Sequence, residues 1–289
     1  MRTLILGATG TIGEPLSDEL AGHGHDLVAL ARSDESQRRL SAWGINVVRG
    51  DLRAPRDWVE IVHEVDAIVH VAATFTDDMG AVDRNLVEAL LGETERAGRR
   101  IRFVYTGGCW LFGETGDRIA DEAAPFDPIP SFAWMVENGG RVLAARHLDA
   151  MIVHPAMVYD REGGALARLV AGARDRGRVE IWGSPDTRWP VVHRRDLAAA
   201  YRLVLEGGAP SEAYCVAAEE GVPVGRIADA LGRRFGLTVE PEVRERNEVL
   251  AEQGAWAAGP MLDQQMSARK IRKDLGWSPA FTNILDEIG

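Results

Sequence analysis

Short, nearly continuous apolar runs recur through the first half of the chain. Residues 3–6, 27–30, 45–48, 67–71, 102–105 and 151–154 each read as a buried strand, most of them bounded by Gly, Asp or Arg. Between them, apolar residues fall at helical spacing, as at Ile12, Leu16 and Leu20, and at Val82, Leu86, Ala89 and Leu90. Strands that alternate with helices predict parallel βαβ units with right-handed crossovers. Such sheets are covered on both faces, so their strands need no polar alternation.

The rhythm loosens after about residue 155. Further strands are predicted at 179–182 and 213–217, and helices at 165–173, 196–206 and 224–235, while 161–164 and 183–190 read as loops. Helices at 81–97 and 131–147 complete the first half. The expected fold class is α/β, a Rossmann-type doubly wound parallel sheet with a smaller C-terminal substrate lobe. Residues 1–155 would form the dinucleotide-binding core, and 156–289 would complete the sheet and build the lobe.

Composition narrows the function. A net charge of -11 argues against non-specific nucleic-acid binding, which needs a basic surface. No apolar stretch approaches the roughly 18 residues of a membrane span, and the N-terminal run is too short for a signal peptide. With Cys109 and Cys215 as the only cysteines, a disulfide framework is excluded and a cytoplasmic setting is expected. No His, Cys or carboxylate cluster has metal-ligand spacing, so no metal is expected. Lysine occurs only at 270 and 273, so no mechanism can use a lysine from the first 269 residues.

The strongest motif is Gly7-Ala8-Thr9-Gly10-Thr11-Ile12-Gly13, between the first strand and the first helix. Glycine allows the tight turn and the close approach of backbone amides to a diphosphate. The following helix N-terminus faces the anion with free N–H groups. The second strand ends Leu30-Ala31-Arg32-Ser33, where an NAD site usually has an acidic residue. Arg32 can pair with a 2′-phosphate and Ser33 can donate to it, so NADP is favoured over NAD. Asp34 reads as the N-cap of the next helix.

With these features the chain resembles the extended and atypical short-chain dehydrogenase/reductases, also described as NAD-dependent epimerases/dehydratases. Gly7, Gly10 and Gly13 match that group's nucleotide turn. Asp51-Leu52 matches its adenine-contacting pair, and Val71-Ala72-Ala73 after His70 resembles the segment under its cofactor. Thr106, Gly107 and Gly108 with Leu111-Phe112-Gly113 resemble its active-site loop. His154-Pro155-Ala156-Met157-Val158-Tyr159 is similar to its nicotinamide-contacting segment, and 192–198 and 273–279 match two further motifs. The resemblance implies that Gly7, Thr9, Gly10, Thr11, Ile12, Gly13, Arg32, Ser33, Asp51, Leu52, Val71, Ala72, Ala73, Thr106, His154, Pro155, Met157 and Val158 hold the cofactor.

The group transfers hydride with a Tyr-x-x-x-Lys pair and a Ser or Thr, the lysine lowering the phenol's pKa. Tyr105, Tyr159, Tyr201 and Tyr214 are followed four residues on by Cys109, Gly163, Leu205 and Ala218, so this chain has no such pair. By position its places fall to Trp134 and Asn138, and the serine's to Gly108. Cys109 and Tyr159 are the candidate replacement acids. Gly108, Trp110, Trp134, Asn138, Trp182 and Trp189 are expected to line a substrate pocket suited to a planar or apolar molecule. Nucleotide-sugar enzymes of the group carry an arginine where Trp189 stands, and the adjacent Arg188 is out of register. The expected function is an NADP-binding oxidoreductase acting on a small organic carbonyl or alcohol compound, aromatic ones included, through a non-standard site. Beside it stand an NADP-binding protein without redox turnover, in a structural or sensing role, and a non-redox isomerase, cyclase or dehydratase. The expected partner is a small molecule alone, with neither nucleic acid nor membrane, and the chain is expected as a monomer or homodimer.

Overall fold

The computed structural model describes all 289 residues. Six strands follow the predicted order: β1 (Arg2–Leu6), β2 (Asp26–Ala31), β3 (Asn46–Arg49), β4 (Ala67–His70), β5 (Ile101–Thr106) and β6 (Leu148–Pro155). The intervening helices are α1 (Gly13–Gly22), α2 (Asp34–Ala42), α3 (Met79–Arg96) and α4 (Trp134–Ala144), and 3-10 turns replace a helix between β3 and β4. The later elements used below are β7 (Met157–Tyr159), α5 (Ala167–Arg176), β8 (Glu180–Trp182), β9 (Arg188–His193), α6 (Arg194–Gly207) and β10 (Ala213–Val216). They are followed by β11 (Glu219–Pro223), α7 (Val224–Arg234) and β12 (Glu242–Arg244). The main sheet has seven strands in the order β10-β6-β5-β4-β1-β2-β3. The strand order reverses between the parallel neighbours β1 and β4, which makes it a Rossmann-type sheet.

The chain divides into two compact units, and they are interleaved rather than consecutive. The first holds Met1–Gly107, Trp134–Val153 and Leu197–Tyr214; the second holds Gly108–Ala133, His154–Asp196 and Cys215–Gly289. A single boundary near residue 155 therefore does not describe the packing. The 108–133 loop and α6 each belong with the half that sequence order does not assign them to.

The first unit is organised by its central strands. Leu4, Leu6, Ile68, Phe103 and Tyr105 join Leu86, Val87 and Leu90 of α3 in one buried cluster. At about 25 cal/mol per Å2, burial of such side chains is the main favourable term. On the other side of β5, Arg102 donates to the carbonyls of Leu205 and Gly208, capping the end of α6. Gly139 of α4 faces the core, since a Cβ there would stand 2.9 Å from Ile152 Cδ1. Its role is close approach of α4 to the sheet.

The second unit has two small sheets, β11-β9-β7 and β12-β8. Residues 188–190, expected as loop, belong to β9, because pairing of Arg188 and Trp189 with β11 recruits them. Asp196 ties the C-terminal segment down: its carboxylate accepts from the amides of Ala280 and Phe281, both at 2.8 Å. His154 is 2% exposed and lies edge-on to Phe112 with Phe126 tilted against it. Its Nδ1 accepts from the Gly108 amide at 3.4 Å. No helix is long and apolar enough to cross a membrane.

Burial lowers the pKa of His154 to about 4. In the unfolded chain the imidazole titrates near 6.5, so below that pH the unfolded state takes up the proton first. Stability is therefore lost as pH falls from about 6.5 to about 4, by on the order of 3 kcal/mol for this group. His154→Met should flatten that part of the pH dependence, measured by urea unfolding at pH 7 and pH 4.5 in parallel with the unmutated protein. An unchanged slope would contradict the buried, neutral imidazole.

Candidate functional site

The glycine turn is built by contacts that exclude side chains. Gly7 has φ +95°, and a Cβ on it would lie 2.9 Å from the Ala72 Cα and N. A Cβ on Gly13 would lie 2.0 Å from the Gly7 carbonyl oxygen. The Gly10 amide closes the turn onto Gly7 O at 3.0 Å, and the Glu14 amide bonds to Gly10 O. The amides of Thr11, Ile12 and Gly13 find no acceptor in the chain. Three free amides at a helix start, beside a surface that a Cβ would fill, fit a dinucleotide diphosphate. Thr9 is half-buried beside them, and Thr11 is exposed.

The other segments expected to face the nucleotide end neighbouring strands. Arg32 follows β2, is exposed, and has no hydrogen bond or ion pair. Ser33, not Asp34, is the N-cap of α2: its Oγ accepts from the Ser36 amide at 3.1 Å in a reciprocal capping box. Asp34 is the first helical residue and pairs with Arg49 at 3.1 Å. The hydroxyl is a better cap here because Ser33 has the extended backbone that a cap requires. Asp51 and Leu52 follow β3, both half-buried, with Asp51 O accepting from Trp58 Nε1. Val71, Ala72 and Ala73 follow β4, the Val71 amide still bonded to Leu6 O. Arg53 reaches from the β3 loop to Asp78 and Thr76 in the β4 loop.

Beneath these segments lies a polar network that sequence reading did not find. Asp83 of α3 is 7% exposed. Its carboxylate accepts from His70 Nε2 at 2.6 Å, Tyr105 Oη at 2.6 Å and Asn138 Nδ2 at 2.7 Å. Burial works against its charge, but those three donors outweigh burial and hold the carboxyl below the usual range. Asn138 thus bonds inward, and its Oδ1 is buried without a partner. Thr106 is also engaged: its hydroxyl donates to His70 O and takes a bond from Tyr201 Oη, both at 2.6 Å. Trp134 covers Gly80, where a Cβ would meet its ring at 2.8 Å. An acidic residue among apolar helix positions gives no periodic signal, which is why Asp83 escapes the pattern.

The second unit holds the remaining predicted residues. Cys109 is 5% exposed, and burial pushes its thiol up to about 12. Tyr159 is fully enclosed, its hydroxyl has no partner, and burial followed by the charges of Glu219, Asp196 and Glu287 raises its pKa. Neither expected catalytic group is presented as an accessible acid, because Cys109 lies inward on a 3-10 turn and Tyr159 inward on β7. Trp182 and Trp189 are buried, and their indole N–H groups donate to Glu180 and to Pro260 O. Arg168 stacks over Trp182 at 3.9 Å. These two tryptophans are core, not pocket wall. Trp110 and Gly108 are half-buried, and the Trp110 ring packs so closely on Gly259 that a Cβ there would stand 2.5 Å away. Pro155 and Met157 are buried, with Val158 partly open. Arg188 is committed to Asp263 and Asp117.

The structure therefore brings Gly7 to Gly13, Val71 to Ala73, Thr106 and Asn138 into one unit, with the ends of β2 and β3 beside them. Trp182 and Trp189 lie in the second unit, buried and with their indole N–H groups bonded within the chain.

Comparisons with known proteins agree with this architecture. Residues 3–217 match the model of the NAD dependent epimerase/dehydratase family. An uncharacterized protein of Saccharomyces cerevisiae is 27% identical over 299 residues, covering 100% of this chain and 98% of its own length. The 3-diazoavenalumate denitrifying reductase of a Streptomyces species is 29% identical, covering 100% of this chain and 99% of its own. The crystal structure of a dTDP-glucose 4,6-dehydratase, DesIV of Streptomyces venezuelae with NAD and TYD bound, has the same fold at TM-score 0.83 and 21% identity, covering 100% of this chain and 94% of that one. With the glycine turn, the strand order and a family match across most of its length, the chain belongs to the NAD-dependent epimerase/dehydratase family.

Proposed function

We propose that the protein is an NADP(H)-dependent reductase of a small aromatic electrophile, one that accepts hydride without an enzymatic tyrosine acid. The observation that carries this reading is the placement of the phenols. All four tyrosines of the chain are buried, Tyr105 and Tyr214 at 1% and 2% exposure and Tyr159 and Tyr201 at 0%. Burial raises the pKa of Tyr105, Tyr159 and Tyr201, and no lysine lies four residues beyond any of them. A phenol enclosed this way, with no lysine to lower its pKa, is poorly placed to hand a proton to a substrate.

A bound nicotinamide dinucleotide supplies hydride. The chain's part is then to hold the diphosphate on the Thr11, Ile12 and Gly13 amides, to carry Arg32 against a 2′-phosphate and to exclude water. Asp34 does not oppose the phosphate, since Arg49 already pairs with it. An acceptor suited to such a site forms its C–H bond from hydride and loses a leaving group with the displaced electron pair. An arenediazonium is the limiting case: Ar–N2+ plus hydride gives Ar–H and N2, with no proton consumed. The reductase from Streptomyces, whose name couples a diazo compound to reduction, supports this substrate class. Commitment of Arg188 to Asp263 and Asp117 weighs against a nucleotide sugar, whose diphosphate needs a free cation.

Two outcomes test the reading. Arg32→Glu should weaken NADPH binding by about tenfold or more while leaving NADH within about threefold, the loss of one charge-assisted contact. Fluorescence titration of both cofactors measures it, and equal losses would reassign the site to NAD. Cys109→Ala and Tyr159→Phe should each retain NADPH oxidation by an arenediazonium within about threefold of the unmutated rate. If either change abolishes turnover, that residue is the acid after all and the proton-free mechanism fails.

A further inference from the structure

The structure assigns Asp83 a role beyond its own network, because acting through His70 it is a positioning residue for the diphosphate-binding turn. This rests on the reading of that turn as a dinucleotide site.

Donor and acceptor roles fix the direction of each bond. His70 Nδ1 lies 3.4 Å from the Ala72 amide, which donates to it. Its Nε2 must then carry the proton, and that proton goes to Asp83 Oδ1 at 2.6 Å. The His70 carbonyl is fixed in turn by the Thr106 hydroxyl. One residue is therefore held at three atoms, and its ring can occupy one tautomer only. Ala72 takes its place from that ring, and Gly7 is packed against Ala72 with no room for a Cβ. A continuous chain of contacts runs from the Asp83 carboxylate to the backbone on which the diphosphate would rest. The far side of the carboxylate, Oδ2, is occupied by Tyr105 and Asn138, so Asp83 cannot swing away.

An asparagine at 83 breaks this logic. It offers one acceptor oxygen where the network uses two. Turned toward Tyr105 and Asn138, that oxygen leaves an NH2 facing His70. The imidazole must then release its Nε2 proton and place one on Nδ1, against the Ala72 N–H. Turned toward His70, it leaves two buried donors facing an NH2. His70→Phe removes the Ala72 acceptor directly and keeps the ring volume.

The test pairs amide exchange with cofactor binding. In Asp83→Asn and in His70→Phe, the Ala72 amide should exchange with solvent at least about tenfold faster, while the Val71 amide, bonded to Leu6 O, keeps its protection. NADPH should bind at least about tenfold more weakly. Tyr105→Phe removes one donor to Asp83 while keeping the ring that packs edge-on against His70 and the Asn138 bond that still holds Oδ2. It should lower the thermal midpoint yet leave Ala72 exchange and NADPH affinity unchanged. If either of the first two variants keeps Ala72 protected with unaltered NADPH affinity, the assignment is overturned. A loss of affinity in Tyr105→Phe equal to that in Asp83→Asn would reduce Asp83 to general stability and overturn it too. If the unmutated protein binds no dinucleotide, the cofactor reading falls, while Ala72 exchange still decides whether Asp83 sets the turn.

Discussion

The nucleotide-binding unit depends on one backbone approach, Gly7 against Ala72. Both follow adjacent parallel strands, β1 and β4, at the point where the sheet order reverses. Strands that part there leave a crevice at their carboxyl ends. The crevice is usable only if the two loops leave their strands without side chains in between. A Cβ on Gly7 would meet the Ala72 backbone at 2.9 Å, and one on Gly13 would strike the Gly7 carbonyl. The positive φ of Gly7 adds a second reason for glycine there. From that contact follow the direction of α1, the free amides at its start and the level at which a diphosphate would rest.

The fold is legible wherever a physical need leaves a periodic trace. Buried parallel strands need apolar runs, and β1, β2, β4, β5 and β6 show them, whereas β3 at the sheet edge reads NVVR with no residue fully buried. A diphosphate needs glycine at three spaced positions, and these stand in the open sequence. Other features leave no such trace. The N-cap of α2 passes to Ser33 rather than Asp34 because backbone conformation decides between two suitable side chains. Residues 188–190 look like loop, and Pro190 adds to that impression, yet pairing with β11 recruits them into β9. Gly139 reads as a helix weakness, but it is the point where α4 can approach Tyr105 and Ile152. Trp182 and Trp189 read as pocket residues because tryptophan serves both roles, and only their N–H partners place them in the core.

Candidate chemistry was legible mainly by what is missing. A sequence shows that no tyrosine is followed by a lysine at the fourth position, and the proposed proton-free chemistry starts from that. It does not show where the remaining phenols go. Tyr105 and Tyr201 turn inward to anchor Asp83 and Thr106, and Tyr159 lies edge-on to His193. Nor does it show that Asn138 bonds to a buried carboxylate.

The network around Asp83 therefore changes what an altered active site implies. Removing one partner of a buried charged pair leaves the other uncompensated. Here the opposite holds. The amide at 138 is bound, the threonine at 106 is bound at both its donor and an acceptor position, and the carboxylate at 83 has three donors. A buried polar cluster that is only half satisfied is costly, whereas a satisfied one is rigid. Asn138 Oδ1 is the one atom of the cluster left without a partner. Under the proposed function, rigidity without an acid suits a hydride-transfer site whose acceptor supplies its own driving force, because positioning is then the whole of the protein's contribution.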